Sequence, residues 1–81
     1  MKLESGSLRE FLDESLGVDV GEIENDSPLF SSGLIDSASL VELIVFVETE
    51  GGVKFDPDDV TLDNLDSINQ ILAFVAAKNG S

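Results

Sequence analysis

The chain has 81 residues and a formal net charge of −13, from 17 acidic and four basic residues. This length suffices for one domain with a modest core, and an apolar fraction of 42% favours a folded chain in spite of the charge. Carboxylates in such excess repel nucleic acid and anionic membranes, so we expect neither as a partner and favour a protein with a basic surface.

The chain contains no histidine and no cysteine. Ser-His-Asp triads, Cys-His pairs and Cys/His zinc sites are therefore excluded. Composition does not exclude a Ser-Lys arrangement, but the three lysines lie outside any recognisable motif. The N-terminal residues lack the apolar stretch of a signal peptide, and no apolar run is long enough to cross a membrane. We expect a cytoplasmic protein with a single domain over residues 1–81, of which about 7–78 are structured.

The first predicted helix begins at a capping box from Ser7 to Glu10, in which both side chains satisfy free backbone N–H groups. Gly17 is a typical helix end. The apolar stripe on one side of this helix consists of Leu8, Phe11, Leu12 and Leu16.

Residues 17–35 show no regular pattern, but apolar residues are spread along them. We expect these residues to pin a long loop to the core, with room for a short helix inside it. Loops of this length in a compact domain are usually functional. The predicted anchors are Val18, Val20, Ile23, Leu29, Phe30, Leu34 and Ile35.

The second helix is predicted from about Asp36 to Glu50 and ends at two consecutive glycines. Its apolar residues follow the i, i+3, i+4, i+7 spacing that faces a core. They are Leu40, Leu43, Ile44 and Val47, with Phe46 at the edge of the stripe.

Two further helices are predicted after the second one. The sequence from Asp56 to Asp59 favours a short helix, which Leu62 and Leu65 would anchor. A second capping box, Ser67 to Gln70, opens the last helix, which we expect to fray over residues 76–80. Its stripe is Ile68, Ile71, Leu72 and Val75. The fold class is therefore all-α, a small four-helix bundle of three main helices and one short helix.

The junction before the second helix, Gly33 to Ser39, has the sequence GLIDSAS. If Asp36 is the N-cap, Ser37 falls in the first turn, where free N–H groups and the helix dipole favour a phosphate. The rival interpretation is a capping box from Ser39 to Glu42, with Ser37 as an ordinary loop serine. Local chemistry alone favours this rival, because capped helices are common and modified serines are rare.

The second helix also carries apolar residues outside its core stripe. Ala38, Val41 and Val45 fall on another face, interleaved with Glu42 and Glu48. Either the bundle wraps this helix on two sides, or the face contacts a basic partner protein. The face begins one residue after Ser37, which favours the partner surface.

The segment from Leu29 to Ser37, followed by Leu40-Val-Glu-Leu43, resembles the modification site of acyl carrier proteins and peptidyl carrier domains. That family carries a G-x-x-D-S motif before its second helix, matched here by Gly33 and Asp36-Ser37. The loop, the apolar helix, the glycine turn and the entry to the last helix recur in the same order. The resemblance covers about residues 8–75 and implies an acyl-carrier-protein-like bundle.

The resemblance implies that Ser37 receives 4'-phosphopantetheine from coenzyme A, and that Asp36 favours the magnesium-dependent transfer. The thiol of that arm would hold an acyl or aminoacyl group as a thioester, so the chain would be a monomeric, metal-free carrier and not an enzyme. Ala38 departs from the large apolar residue usual after the serine, and each methylene lost from an interface costs ~0.8 kcal/mol.

The implied partners are a phosphopantetheinyl transferase, an adenylate-forming acyl or aminoacyl ligase, and downstream acyl-transferring or condensing enzymes. The resemblance leans towards stand-alone carriers that such ligases charge, including those for amino acids.

Two other functions compete with that of a carrier. A calcium-binding loop starting at Asp56 would need an oxygen ligand at its fifth position and glycine at its sixth, but Val60 and Thr61 stand there. An unmodified acidic helical adaptor would bind a basic partner through Ala38, Val41 and Val45 and would not need Ser37.

Overall fold

The computed structural model describes residues 3–80, leaving out the side chain of Ser37. This part of the chain holds three long helices and one short helix and no strand, which confirms the predicted all-α bundle. Two 3₁₀ turns, Val20–Glu22 and Pro57–Asp59, match the short helices expected in the long loop and after the second helix. The helices are α1 (Ser5–Leu16), α2 (Ser37–Gly51), α3 (Leu62–Leu65) and α4 (Ile68–Gly80).

Helix α1 begins earlier than the sequence predicts. Glu4 is its N-cap, and the Glu4 N–H donates to Ser7 Oγ at 3.0 Å. The predicted box from Ser7 to Glu10 is therefore wrong, because Ser7 lies inside the helix and its hydroxyl turns back to the cap residue. The predicted end is confirmed: Gly17 adopts a left-handed φ of 70°, and its N–H donates to the Leu12 carbonyl.

The core forms where the apolar stripes of α1, α2 and α4 meet. Two phenylalanine stacks extend it: Phe11 with Phe46 at 4.2 Å between ring centres, and Phe55 with Phe74 at 4.7 Å. Within residues 3–80, none of the helices combines the length and apolar character needed to cross a membrane. The most completely buried large side chains are Leu8, Leu12, Leu29, Leu43, Val47, Leu65, Ile68 and Ile71.

Two predicted anchors do not reach this core. Leu34 is 46% exposed and Leu62 is 55% exposed, so both predictions are wrong. Ile35, the neighbour of Leu34, is buried at the end of the loop. Helix α3 has only four residues and buries Leu65 instead of Leu62.

The start of α4 uses half of the predicted capping box. The Gln70 N–H donates to Ser67 Oγ at 3.1 Å, as expected of an N-cap serine. The Gln70 side chain does not complete the box, since its Nε2 donates to the Asp63 carbonyl at 2.9 Å. Gln70 thereby ties α4 to α3, which a local motif does not predict.

The end of α4 is held in place, so the expected fraying over residues 76–80 is wrong. Asn79 Nδ2 donates to the Gly51 carbonyl at 2.8 Å, and Lys78 Nζ lies 2.9 Å from Asp59 Oδ2 and 3.3 Å from Asp56 Oδ2. The hydrogen bond from Lys78 lowers the pKa of Asp59, and the same bond raises the pKa of Lys78. These contacts attach α4 to the end of α2 and to the second 3₁₀ turn.

Arg9 on α1 holds the first half of the long loop. Its Nη1 donates to the Val20 carbonyl at 2.8 Å, and its Nη2 donates to the Ile23 carbonyl at 3.2 Å. Nε and Nη2 both donate to Asn25 Oδ1, at 3.1 and 3.0 Å. The Asn25 carbonyl accepts from the Asn69 N–H at 2.9 Å, so this loop segment is fixed between α1 and α4.

We predict that Arg9→Lys destabilises the protein by about 2 kcal/mol, because a single ammonium cannot replace the guanidinium fork and leaves loop carbonyls without donors. Urea unfolding followed by circular dichroism measures the change. Lys54→Arg, at an exposed cation, is the matched control and should shift the free energy of unfolding by no more than about 0.5 kcal/mol. Equal stability of the two variants would show that other contacts hold the loop.

Candidate functional site

The segment from Leu29 to Ile35 forms a tight turn immediately before α2. The Gly33 N–H donates to the Phe30 carbonyl at 3.1 Å, and Gly33 has a φ of 85°, which L-residues rarely adopt. The Ile35 N–H then donates to the Leu29 carbonyl at 3.0 Å, and both of these side chains are buried. The turn therefore fixes the start of α2 against the core.

Asp36 is the N-cap of α2, the first of the two alternatives that the sequence left open. It has an extended backbone, and its Oδ1 accepts the Ser39 N–H at 3.1 Å. The rival prediction, a cap at Ser39, is wrong because Ser39 lies inside the helix and supplies the donor. Ser37 is the first residue of α2, and its side chain lies outside the described part of the structure.

The electrostatics of this helix end suit an anion. Helix α2 has 15 residues, and the first N–H groups of a helix lack carbonyl partners within it. Together with the helix dipole they place partial positive charge at the N-terminus. Gly33, Leu34, Asp36 and Ala38 are all exposed around this end, so the surface is open to a macromolecule.

Asp66, between α3 and α4, holds the second half of the loop. Its Oδ1 accepts the N–H groups of Phe30 at 2.7 Å and Ser31 at 2.9 Å, and its Oδ2 accepts from Ser31 Oγ at 2.6 Å. Its carbonyl accepts the Leu29 N–H at 2.6 Å. Burial alone would raise the pKa of Asp66, but the hydrogen bonds from Ser31, Phe30 and Leu29 outweigh it and lower that pKa.

Sequence reasoning missed the role of Asp66. The residue closes an acidic run whose carboxylates are otherwise mostly exposed, so nothing local distinguishes it. The local hint is the pair of serines after Phe30, whose hydroxyls need acceptors. It does not point to Asp66, because Ser32 Oγ donates to the nearby Pro28 carbonyl at 2.6 Å and only Ser31 Oγ reaches the distant carboxylate.

The outer face of α2 is open to solvent. Val41 is 66% exposed and Val45 is 56% exposed, and Ala38 and Glu42 are exposed as well. The alternative in which the bundle wraps this face is therefore wrong. Glu48 differs from the others, because it is half-buried and its Oε2 accepts the Phe55 N–H at 2.8 Å. Its carboxylate anchors the segment after α2.

A small apolar cavity of about 220 Å³ opens between the loop, the first turns of α2 and the α3 region. Leu40, one helical turn after Ser37, forms part of its wall, opposite the exposed Leu62. Among the described residues, no group of three or more acidic side chains could hold a metal ion. The residues that line the cavity are Phe30, Leu40, Val60, Thr61, Leu62 and Leu65.

Comparison with known proteins gives one family and two relatives. The family model described as "Phosphopantetheine attachment site" matches residues 7–75. An acyl carrier protein of Thermotoga maritima is 30% identical over 73 residues, which cover 90% of this chain and 88% of the relative. An acyl carrier protein of Solidesulfovibrio magneticus is 29% identical over 73 residues, which cover 90% of this chain and 91% of the relative.

We predict that Asp66→Asn destabilises the protein by about 1–2 kcal/mol at pH 7, because the amide keeps one acceptor oxygen and replaces the other with an NH₂ donor, so it cannot satisfy all the N–H and hydroxyl donors that bond to the carboxylate. The lowered pKa of Asp66 also sets a pH dependence. Its contribution is complete above the unfolded pKa of about 3.9 and is lost as the pH falls through the lower folded pKa.

The measurement is urea unfolding of the wild type and of Asp66→Asn between neutral and strongly acidic pH. The variant should lose less stability on acidification than the wild type. Asp13→Asn, at an exposed carboxylate of α1, is the control and should follow the wild-type curve. Parallel curves for all three proteins would refute the role given to Asp66.

Proposed function

Because the chain belongs to the phosphopantetheine-attachment family of acyl carrier proteins, which carry 4'-phosphopantetheine covalently and are not enzymes, we propose that Ser37 is its attachment site. The observation that carries the proposal is the position of Ser37. It is the first residue of α2, directly after the Asp36 cap and at the end of the G-x-x-D-S motif. Asp36 and Gly33 are proposed as the residues that prepare this position.

The residues around Ser37 fit a phosphodiester. The positive end of α2 favours its negative charge, and Asp36 and Ala38 on either side of the position are exposed. Asp36 uses Oδ1 for its cap, and its exposed carboxylate suits the magnesium that the resemblance assigns to the transfer reaction. When attached, the group supplies a flexible arm whose thiol holds the cargo as a thioester.

The chain lacks the side chains that most readily attack a thioester cargo. A thioester is open to attack by thiolates and by bases that activate water, and the chain has neither cysteine nor histidine. The Asp66 contacts and the Asp36 cap keep the attachment position fixed on the bundle. The protein therefore positions the arm and leaves the chemistry to partner enzymes.

The proposed partner face comprises Ala38, Val41, Glu42 and Val45 on α2. Its exposed valines supply apolar contact, and Glu42 supplies charge towards enzymes with basic surfaces. We propose a phosphopantetheinyl transferase, an adenylate-forming ligase and downstream acyl-transferring or condensing enzymes as these partners. Glu48 is left out of the face, because its carboxylate is bonded to Phe55.

The cargo is proposed to be an acyl or aminoacyl group loaded onto a stand-alone, monomeric, cytoplasmic carrier. The apolar cavity beside Leu40 supports a group with an apolar portion, because its lining is predominantly apolar. Its volume of about 220 Å³ favours a small group over a long chain.

We predict that the wild type gains one phosphopantetheine unit when it is incubated with coenzyme A, magnesium and a broad-specificity phosphopantetheinyl transferase. Ser37→Ala should gain none, because it lacks the hydroxyl that attacks the donor phosphate. Intact mass spectrometry measures both, with Ser39→Ala as the matched control that should still be modified. If the wild type gains no mass with several transferases, the unmodified adaptor becomes the better function.

We predict that Glu42→Lys lowers kcat/KM for the transfer about tenfold and weakens its dependence on salt, because a rim charge acts mainly on the rate of encounter. Initial rates by intact mass at subsaturating carrier measure the effect. Asp13→Lys makes the same charge change on α1 and is the control. If both variants slow the reaction equally, total charge and not the α2 face governs recognition.

A further inference from the structure

A groove runs between α1 and α2 and leads away from the attachment position. It consists of two adjoining depressions that share Phe11, Phe46 and Glu50. The stacked rings of Phe11 and Phe46 form its floor, at 4.2 Å between centres. Glu50 lies 13 residues after Ser37, so the far end of the groove is about 20 Å along α2 from the attachment position.

The two walls of the groove have helical spacing. The α2 wall is the row Val41, Val45 and Thr49, each four residues apart and each exposed. The α1 wall carries Glu10 and Glu14, also four residues apart and exposed. A channel between two helix ridges suits a third helix, because the side chains of that helix can lie in the groove between the rows.

The charge of the rim identifies the kind of helix. Glu10, Glu14, Glu42 and Glu50 surround the apolar floor, and no cation is among the described residues that line either depression. A second copy of this chain is a poor occupant, since it would bring another −13 charge against the same rim. Lysine and arginine flanking an apolar stripe complement both the rim and the floor.

We propose that this α1–α2 groove docks an amphipathic helix with basic flanks, supplied by a partner protein. The groove adds the α1 wall, Phe11 and Phe46 to the exposed valines of α2, and it extends to the end of the bundle away from Ser37. Because the groove shares Val41, Glu42 and Val45 with the proposed partner face, this inference extends that face and rests on it. A helix in the groove and an enzyme on the face would therefore compete for the same valines.

The test uses the full unmodified chain and a fluorescein-labelled synthetic peptide of about five helical turns, with leucines at i, i+3, i+4, i+7 and lysines on both flanks. A peptide with the same leucines and glutamate flanks is the negative probe. We expect the lysine peptide to bind and the glutamate peptide not to bind. In the NMR spectrum of the isotope-labelled protein, the largest changes in amide chemical shift on addition of the lysine peptide should fall around Phe11, Phe46 and Thr49.

Two charge-matched double variants separate the groove from general attraction. Glu10→Lys/Glu14→Lys should raise the Kd about tenfold, whereas Asp13→Lys/Glu22→Lys, at exposed carboxylates that do not line the groove, should change it less than about threefold. A second pair avoids dependence on α1 folding: Thr49→Arg inside the groove should weaken binding, and Ala73→Arg on α4 should not.

Several results would overturn the proposal that this groove docks a basic helix. Equal weakening by both double variants would assign binding to diffuse charge. Shift changes centred on Leu34 and Ala38 would assign it to the start of α2. Self-association of the chain that Thr49→Arg abolishes would make a second copy the occupant. Ser37→Ala should bind the peptide like the wild type, so this outcome is independent of whether Ser37 carries phosphopantetheine.

Discussion

The hydrogen bonds that the Asp66 carboxylate accepts hold the loop on which the proposed attachment position depends. The carboxylate receives three hydrogen bonds from Phe30 and Ser31, which lie 36 and 35 residues earlier in the chain. The loop before α2 has little regular structure, so its backbone groups must find partners elsewhere. Without that acceptor the turn at Gly33 would lose its attachment to the α3–α4 side of the bundle, and the Asp36 cap would no longer start α2 at a fixed place.

Arg9 performs the corresponding task on the other half of the loop, with the opposite charge. A guanidinium suits several carbonyls in different directions, and a carboxylate suits a cluster of N–H and hydroxyl donors. Lys78 is occupied as well, on Asp56 and Asp59. The described bundle therefore uses both of these cations internally, and its outer surface is left strongly acidic. Such a surface attracts proteins with basic surfaces and repels acidic ones.

The sequence predicts what is local and misses what is distant. The Ser67 cap, the glycine ends and the stripe of α4 follow from spacing within one helix, and they are confirmed. In α2 the stripe is confirmed at Leu40, Leu43 and Val47, whereas Ile44 is only half-buried and lies outside the core. Local chemistry favoured Ser39 as the cap of α2, and the structure decides for Asp36. The predictions that Leu34 and Leu62 are core anchors were wrong, because the sequence shows that a residue is apolar but not which side of a turn it faces. The contacts of Arg9 and Asp66 join residues far apart in the chain, so no window of sequence contains both partners. Among the candidate site residues, the G-x-x-D-S spacing located the junction, but the residues that hold it in place came only from the structure.

Helix α2 contributes to two surfaces: its inner stripe packs in the core, and its outer face is exposed to solvent. Its inner stripe fixes it in the core, so its outer valines are presented on a rigid support. Exposed valines with few neighbours give weak contacts, which suit a carrier that must dock and leave quickly. The groove that continues towards Glu50 shares Val41, Glu42 and Val45 with this outer face and adds the α1 side to it. A helix docked along the groove would gain contact area over the same valines, so it would compete with any partner that needs them. The acidic rim would speed the encounter with a basic helix, and the apolar floor between α1 and α2 would set how long that helix stays bound.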